Sequence, residues 1–261
     1  MIDSLFDETD FDESIDVSEN NILRESPELL NILLKDRTTK KNIMWATDSY
    51  ERMGTGFSAE DPIKPELITG KNSTIIRPRV EKAKHEQKAR TRERAEVFTP
   101  TLIVKKQNDI IEKDFEGLAL EEYINKFWLE ITCGEAPYMV TRYDTVTGDE
   151  IAINERVGFV DRKLQRINHE VSDKEEWIAL TTKSFQTSFG YEFQGDSLLL
   201  ARENLLYTFI DYYEDKFGEK PDMETKQKIA KIISHNVFQM DGLQYTVPFK
   251  EWRKFNTLTT L

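Results

Sequence analysis

A chain of 261 residues, 38% hydrophobic and 32% charged, is long enough to bury the core of one large domain or two modest ones. No apolar run nears the roughly 20 residues of a spanning helix, and the acidic start Met1-Ile2-Asp3 is unlike a basic secretory or organellar signal, so cytoplasmic residence and no membrane partner are expected. One cysteine and three scattered histidines exclude an internal disulfide and a histidine–cysteine zinc set, and a net charge of −12 argues against general phosphate binding.

The charge is uneven along the chain. Residues 1–20 hold eight acids and no base, leaving the remainder at −4, and read as an acidic, solvated tail. Residues 21–94 are expected to form a helical N-terminal region. Ser26-Pro27-Glu28 is an N-cap followed by proline at the first helical position, opening the run Leu29, Leu30, Ile32, Leu33, Leu34. A second short helix is expected over 38–50, and Gly54, Gly56, Pro62, Pro65 and Gly70 then mark a loop-rich passage. From Arg77 to Arg94 there are eight Lys/Arg against three Glu in a sequence of high helix propensity. This is an exposed basic helix, either a solvated charged face or an arm for a nucleic-acid backbone.

Beyond residue 100 the pattern alternates. A helix is expected on Leu102, Ile103 and Val104, a short buried strand over 127–132, a helix over 173–184 and a second strand over 189–193. Leu198, Ala201, Leu205, Phe209 and Tyr212 mark one face of a helix over 197–214. A helix over 224–233 and a strand over 236–240 complete the series. Strands alternating with helices imply a parallel α/β sheet. Residues 139–188, rich in charge, read as an insertion between the first two strands.

Each strand ends on chemistry-bearing residues: Glu130-Ile131-Thr132-Cys133-Gly134 after the first, Glu192 at the second, Asp241-Gly242 after the third, with Phe98-Thr99-Pro100 ahead of all three. Cys133 alone reads as a small core residue, and an isolated acid at a strand end is commonly a helix cap. In this order and with these intervening helices, the set resembles the donor-binding half of adenine-N6 DNA methyltransferases of restriction–modification systems, in particular their modification-subunit-like methylases, over residues 95–243. Glu96–Pro100 resembles that family's Val-Phe-Thr-Pro motif, Leu129–Ala136 its first donor motif, Tyr191–Leu205 the second and Phe238–Leu243 the third.

The resemblance implies a partial doubly wound, Rossmann-like fold that binds S-adenosyl-L-methionine. Phe98, Thr99, Pro100, Glu130, Cys133 and Gly134 would hold the methionine end, Glu192 the ribose hydroxyls and Asp241 the adenine amine. Ala136 stands where a second glycine is usual, and the Pro-Pro-aromatic motif that cradles a flipped adenine in the family is absent, since the sequence has no Pro-Pro pair. Catalysis is therefore expected to need a missing or separate segment, with DNA reached together with a second chain. The alternative is a non-catalytic, methylase-derived interaction protein that binds a restriction–modification subunit or DNA.

Overall fold

The computed structural model describes residues 26–78 and 99–248. The acidic tail 1–20, the basic stretch from residue 79 onward and Phe98 lie outside the described residues. Three parallel strands, β1 (Trp128–Ile131), β2 (Ser188–Glu192) and β3 (Val237–Gln239), lie side by side in chain order, with Glu130 opposite Gly190 and Glu192 opposite Gln239. The fold is thus α/β, compatible with part of a Rossmann-like sheet.

Eight α-helices accompany the sheet among the described residues: α1 (Pro27–Leu33), α2 (Pro65–Ile68), α3 (Thr101–Glu112), α4 (Leu120–Ile124), α5 (Phe159–Glu170), α6 (Lys174–Gln186), α7 (Gly195–Phe217) and α8 (Met223–Asn236). Their starts are written locally. Ser26, Asp173 and Asp222 each accept a backbone N–H from the first turn of α1, α6 and α8. No described helix is long and apolar enough to cross a membrane.

The expected single apolar face of α7 is too narrow a description. Leu199, Leu206, Ile210 and Tyr213 are buried as well as Leu198, Ala201, Leu205, Phe209 and Tyr212, because α7 contacts β2 and β3 on one side and α1, α5 and α8 on others. A helix apolar around most of its circumference belongs in the middle of a core. Nor is 139–188 an insertion laid on the surface. It contains α5 and α6, which form the body of the crossover from β1 to β2 and bury Phe159, Val160, Leu164, Ile167, Trp177 and Phe185.

Within that crossover Lys163 is fully buried and donates to the carbonyls of Ile124 and Lys126 and to Thr187 Oγ1. Its ammonium thereby caps the carbonyl end of α4. Burial pushes the amine down to about 7. The unfolded chain holds this proton up to the ordinary lysine range, so between about pH 7 and the usual 10.4 it binds more protons than the folded chain, and this residue makes stability rise with pH there. Urea unfolding at pH 7, 8.5 and 10 is expected to show that rise in the wild type and a smaller one in Lys163→Met.

The N-terminal region corrects two expectations. Its described residues are less helical than the pattern suggests, and 38–50 forms no helix: Asp36 accepts from Thr38 N–H, Thr38 Oγ1 and Thr39 Oγ1, Lys40 and Ala46 take positive φ, and isolated bridges join Lys35 to Asn42 and Met44 to Pro62. Side-chain acceptors that satisfy the backbone locally compete with a helix. The resulting irregular segment packs on the sheet. Gln239 accepts from Met44 N–H and donates to Met44 carbonyl, Gly195 N–H donates to Trp45 carbonyl, and Tyr50 hydroxyl donates to Asp196.

Gly195 permits this approach, since a Cβ there would lie 2.0 Å from the Met44 carbonyl oxygen. Gly195→Ala is expected to cost about 1–3 kcal/mol in urea unfolding, the range for an overpacked site, and to speed limited proteolysis within 44–50. Unchanged cleavage would mean that this segment is not anchored there.

Candidate functional site

The three strands point their carboxyl ends the same way, and Glu192 ties those ends together. Gly134 N–H, from the turn after β1, donates to Glu192 Oε2 at 2.9 Å, and Gln194 N–H donates to Oε1 at 2.9 Å. The Glu192 backbone carbonyl accepts from Met240 N–H, just after β3, at 3.0 Å. The residue is 7% exposed. A buried carboxylate held by oriented backbone donors is a fixed acceptor.

The β1 turn is shaped by Gly134, with φ 53°, and by Ala136, with φ 65°. Glycine takes this left-handed region freely, whereas alanine pays about 1–2 kcal/mol. Asn204 of α7 supports the turn by donating to the Glu135 carbonyl at 3.0 Å and to Tyr143 hydroxyl at 3.3 Å. Tyr143 in turn donates to Glu135 Oε2 at 2.9 Å.

Glu130 is spent inside the protein. Its two oxygens accept from Tyr138 N–H at 3.2 Å and Met139 N–H at 3.1 Å, so it fixes the chain that leaves the turn. Burial pushes its carboxyl well above the usual range, against the effect of those two donors, and neighbouring Glu192 adds to the rise. Cys133 is 1% exposed, and burial together with Glu130 and Glu192 drives its thiol up. A thiol held protonated is a packing group rather than a nucleophile.

Asp241 is half-buried after β3. Its Oδ1 accepts from Leu243 N–H at 2.8 Å and Gln244 N–H at 2.9 Å, closing a tight turn, while its backbone pairs with Thr246. Its Oδ2 has no hydrogen-bond partner among the described residues. Gly242 lies against β1, where a Cβ would come 2.2 Å from Ile131 Cγ2, so this turn reaches back across the sheet end toward the first strand.

Thr99 and Pro100 lead into α3. Thr145 Oγ1 donates to the Thr99 carbonyl at 3.1 Å. A cavity of about 10 Å³, room for one water, is lined by Thr101, Glu135, Pro137, Tyr143, Thr145 and Asn204. The start of α3 is thereby set beside the β1 turn. Of the residues singled out from sequence, Thr99, Pro100, Cys133, Gly134, Glu192 and Asp241 lie at or beside the carboxyl ends of the strands, Glu130 faces inward, and Phe98 is outside the described residues.

Three residues that lie within the second and third motifs, but to which the sequence reading gave no role, also build this end of the molecule. Gln239, Gly195 and Asp196 carry the N-terminal segment onto the ends of β2 and β3. Gly195, three residues after the acid that ends β2, was the one available signal. Among the described residues no group of three or more His, Cys, Asp or Glu side chains could hold a metal ion. No protein-family profile, curated protein or solved structure matches this chain.

Proposed function

We propose that this chain is the S-adenosyl-L-methionine-binding portion of an adenine-N6 DNA methyltransferase of a restriction–modification system, with methyl transfer completed by a separate segment that also brings the DNA. The observation that carries the reading is the convergence on Glu192, which receives the β1 turn through Gly134 N–H and β3 through Met240 N–H. Ligands of open parallel sheets sit outside the carboxyl ends of the strands. A carboxylate at the middle strand suits vicinal ribose hydroxyls because it offers about four acceptor positions.

The donor set fits the proposed ligand in kind. Asp241 has one oxygen engaged by its own turn and one remaining for an exocyclic amine. Gly134 lets backbone approach the ligand without a side chain, and nothing lies within 4 Å of where its Cβ would be. The donor would supply the methyl group; the residues here would bind and orient it. Glu130 and Cys133 fit a supporting role beneath the methionine end better than direct contact, since both are buried and engaged internally.

The exposed apolar side chains Phe127 and Leu129 at β1 favour the second reading, a non-catalytic interaction protein, and donor binding separates the two. Titration calorimetry with S-adenosyl-L-methionine is expected to show saturable one-to-one binding with no turnover on DNA by this chain alone. Absence of binding removes the methyltransferase reading, and multiple-turnover methylation by the purified chain removes the need for a second segment.

A further inference from the structure

Ala136 holds an unfavourable conformation in the β1 turn for two separate reasons. Its φ of 65° lies in the left-handed region, where a Cβ crowds the following carbonyl, and it precedes Pro137, a position that favours extended backbone. Gly134, two residues earlier, is left-handed as well and presents its N–H to Glu192. The turn that places Gly134 is therefore held against the local preference of its own sequence.

Part of what holds it comes from α7. Asn204 Nδ2 donates to the Glu135 carbonyl at 3.0 Å, and that oxygen belongs to the peptide plane just before Ala136. Leaving the left-handed region means turning that plane about the Ala136 N–Cα bond, so fixing its oxygen opposes the escape. Nδ2 also donates to the Tyr143 hydroxyl at 3.3 Å, which donates to Glu135 Oε2 at 2.9 Å. Glu135, between the two left-handed residues, is thus gripped by backbone and by side chain. The grip is firm because α7 packs on β2, β3 and three helices.

A packing role alone does not account for asparagine at this position. Asn204 is 4% exposed, and its Oδ1 is buried without a hydrogen-bond partner among the described residues. A buried acceptor left unsatisfied costs stability, and leucine, with the same branching and better helix propensity, would avoid that cost. What asparagine adds here is its two-donor amide.

We infer that Asn204 is a positioning residue for donor binding: it keeps the β1 turn in the left-handed course that sets Gly134 at the carboxyl end of β1, beside Glu192. The inference rests on the donor reading of this site. It also carries a consequence of its own, since a turn with glycine at position 136 needs the support of Asn204 less.

The test combines Asn204→Leu with Ala136→Gly. In titration calorimetry Asn204→Leu is expected to bind S-adenosyl-L-methionine at least tenfold more weakly than wild type, Ala136→Gly at least as tightly as wild type, and the double variant within threefold of Ala136→Gly. In the donor-free protein, solvent exchange of the Gly134 amide, followed by nitrogen-15 NMR, is expected to quicken at least tenfold in Asn204→Leu and to return to the wild-type rate in the double variant. Tyr143→Phe, which removes one hydroxyl and keeps the ring, is expected to repeat both effects at about threefold, and it replaces Asn204→Leu should that variant fail to unfold cooperatively. A loss of affinity that Ala136→Gly does not recover, or Gly134 exchange indifferent to both Asn204→Leu and Tyr143→Phe, overturns the inference. The two readings separate cleanly: a wild type that binds no donor strikes the donor reading, whereas a wild type that binds, with affinity and exchange unmoved by these variants, strikes this inference alone.

Discussion

Arg202→Met is expected to destabilise the protein more than any other single change considered, by about 4 kcal/mol or more, lowering the melting temperature by at least roughly 10 °C for a chain of this size. Arg202 is wholly buried in α7, and its guanidinium donates to four backbone carbonyls: Leu33 and Lys35 at the end of α1, Ser234 near the end of α8, and Val237 at the start of β3. Two helix carboxyl ends, each with its partial negative charge, thus meet on one cation. Burial pushes the guanidinium down to about 9, partly offset by Asp36, and it remains charged at neutral pH.

Methionine fills much of the same volume but donates nothing. Four buried acceptors would lose their donors, and each costs about 1–3 kcal/mol when left unsatisfied. Lysine keeps the charge, yet a single ammonium cannot span acceptors arranged for a planar fork, so Arg202→Lys should fall between the two. Thermal unfolding followed by circular dichroism is the measurement, and a cooperative transition within a few degrees of wild type for Arg202→Met would show that these contacts do not join the N-terminal region to the core.

The second large effect concerns Glu192. Both of its oxygens accept backbone N–H groups, from Gly134 and Gln194. Glutamine offers one carbonyl oxygen and an amide that donates, so it satisfies one of those N–H groups and opposes the other. On the donor reading Glu192→Gln also replaces a charged acceptor for the ribose hydroxyls. Loss of a hydrogen bond to a charged group is worth about 1.5–3 kcal/mol, or roughly 10- to 150-fold in dissociation constant. Calorimetry is expected to show at least tenfold weaker binding of S-adenosyl-L-methionine in a variant that still unfolds cooperatively. Wild-type affinity in Glu192→Gln would remove this residue from the site and with it the main support for the donor reading.

Much of the α/β alternation was readable because strands and helices carry different periodicities. The strand expected over 127–132 is Trp128–Ile131, that over 189–193 is Ser188–Glu192, and that over 236–240 is Val237–Gln239. Helix α5 was missed although Phe159, Val160, Leu164 and Ile167 make a stripe, because Asp161, Arg162, Lys163 and Arg166 suggested a solvated surface. Two of those charges, Asp161 and Lys163, are fully buried against partners distant in sequence: Asp161 Oδ2 accepts from Thr141 N–H, and Lys163 reaches the end of α4. Residue type alone places a charge at the surface; only a partner supplied by the fold brings it inside.

By itself the sequence determined the order and kind of the elements from helix caps, apolar spacing and punctuation, and it set an acid or glycine at the end of each strand. Those are local properties, decided within a few residues. The tertiary structure decided which acids are available: Glu130 is consumed by the loop it anchors, Glu192 holds three strand ends together, and Asp241 divides its oxygens between its own turn and the exterior. It also decided that all the helices contacting the strands pack on one side of the sheet and that five apolar side chains of β1, β2 and β3, Leu129, Ile131, Phe189, Tyr191 and Phe238, lie on the other. Strand order and crossover direction fix which face is covered, and neither is encoded in the spacing of residues along a single strand.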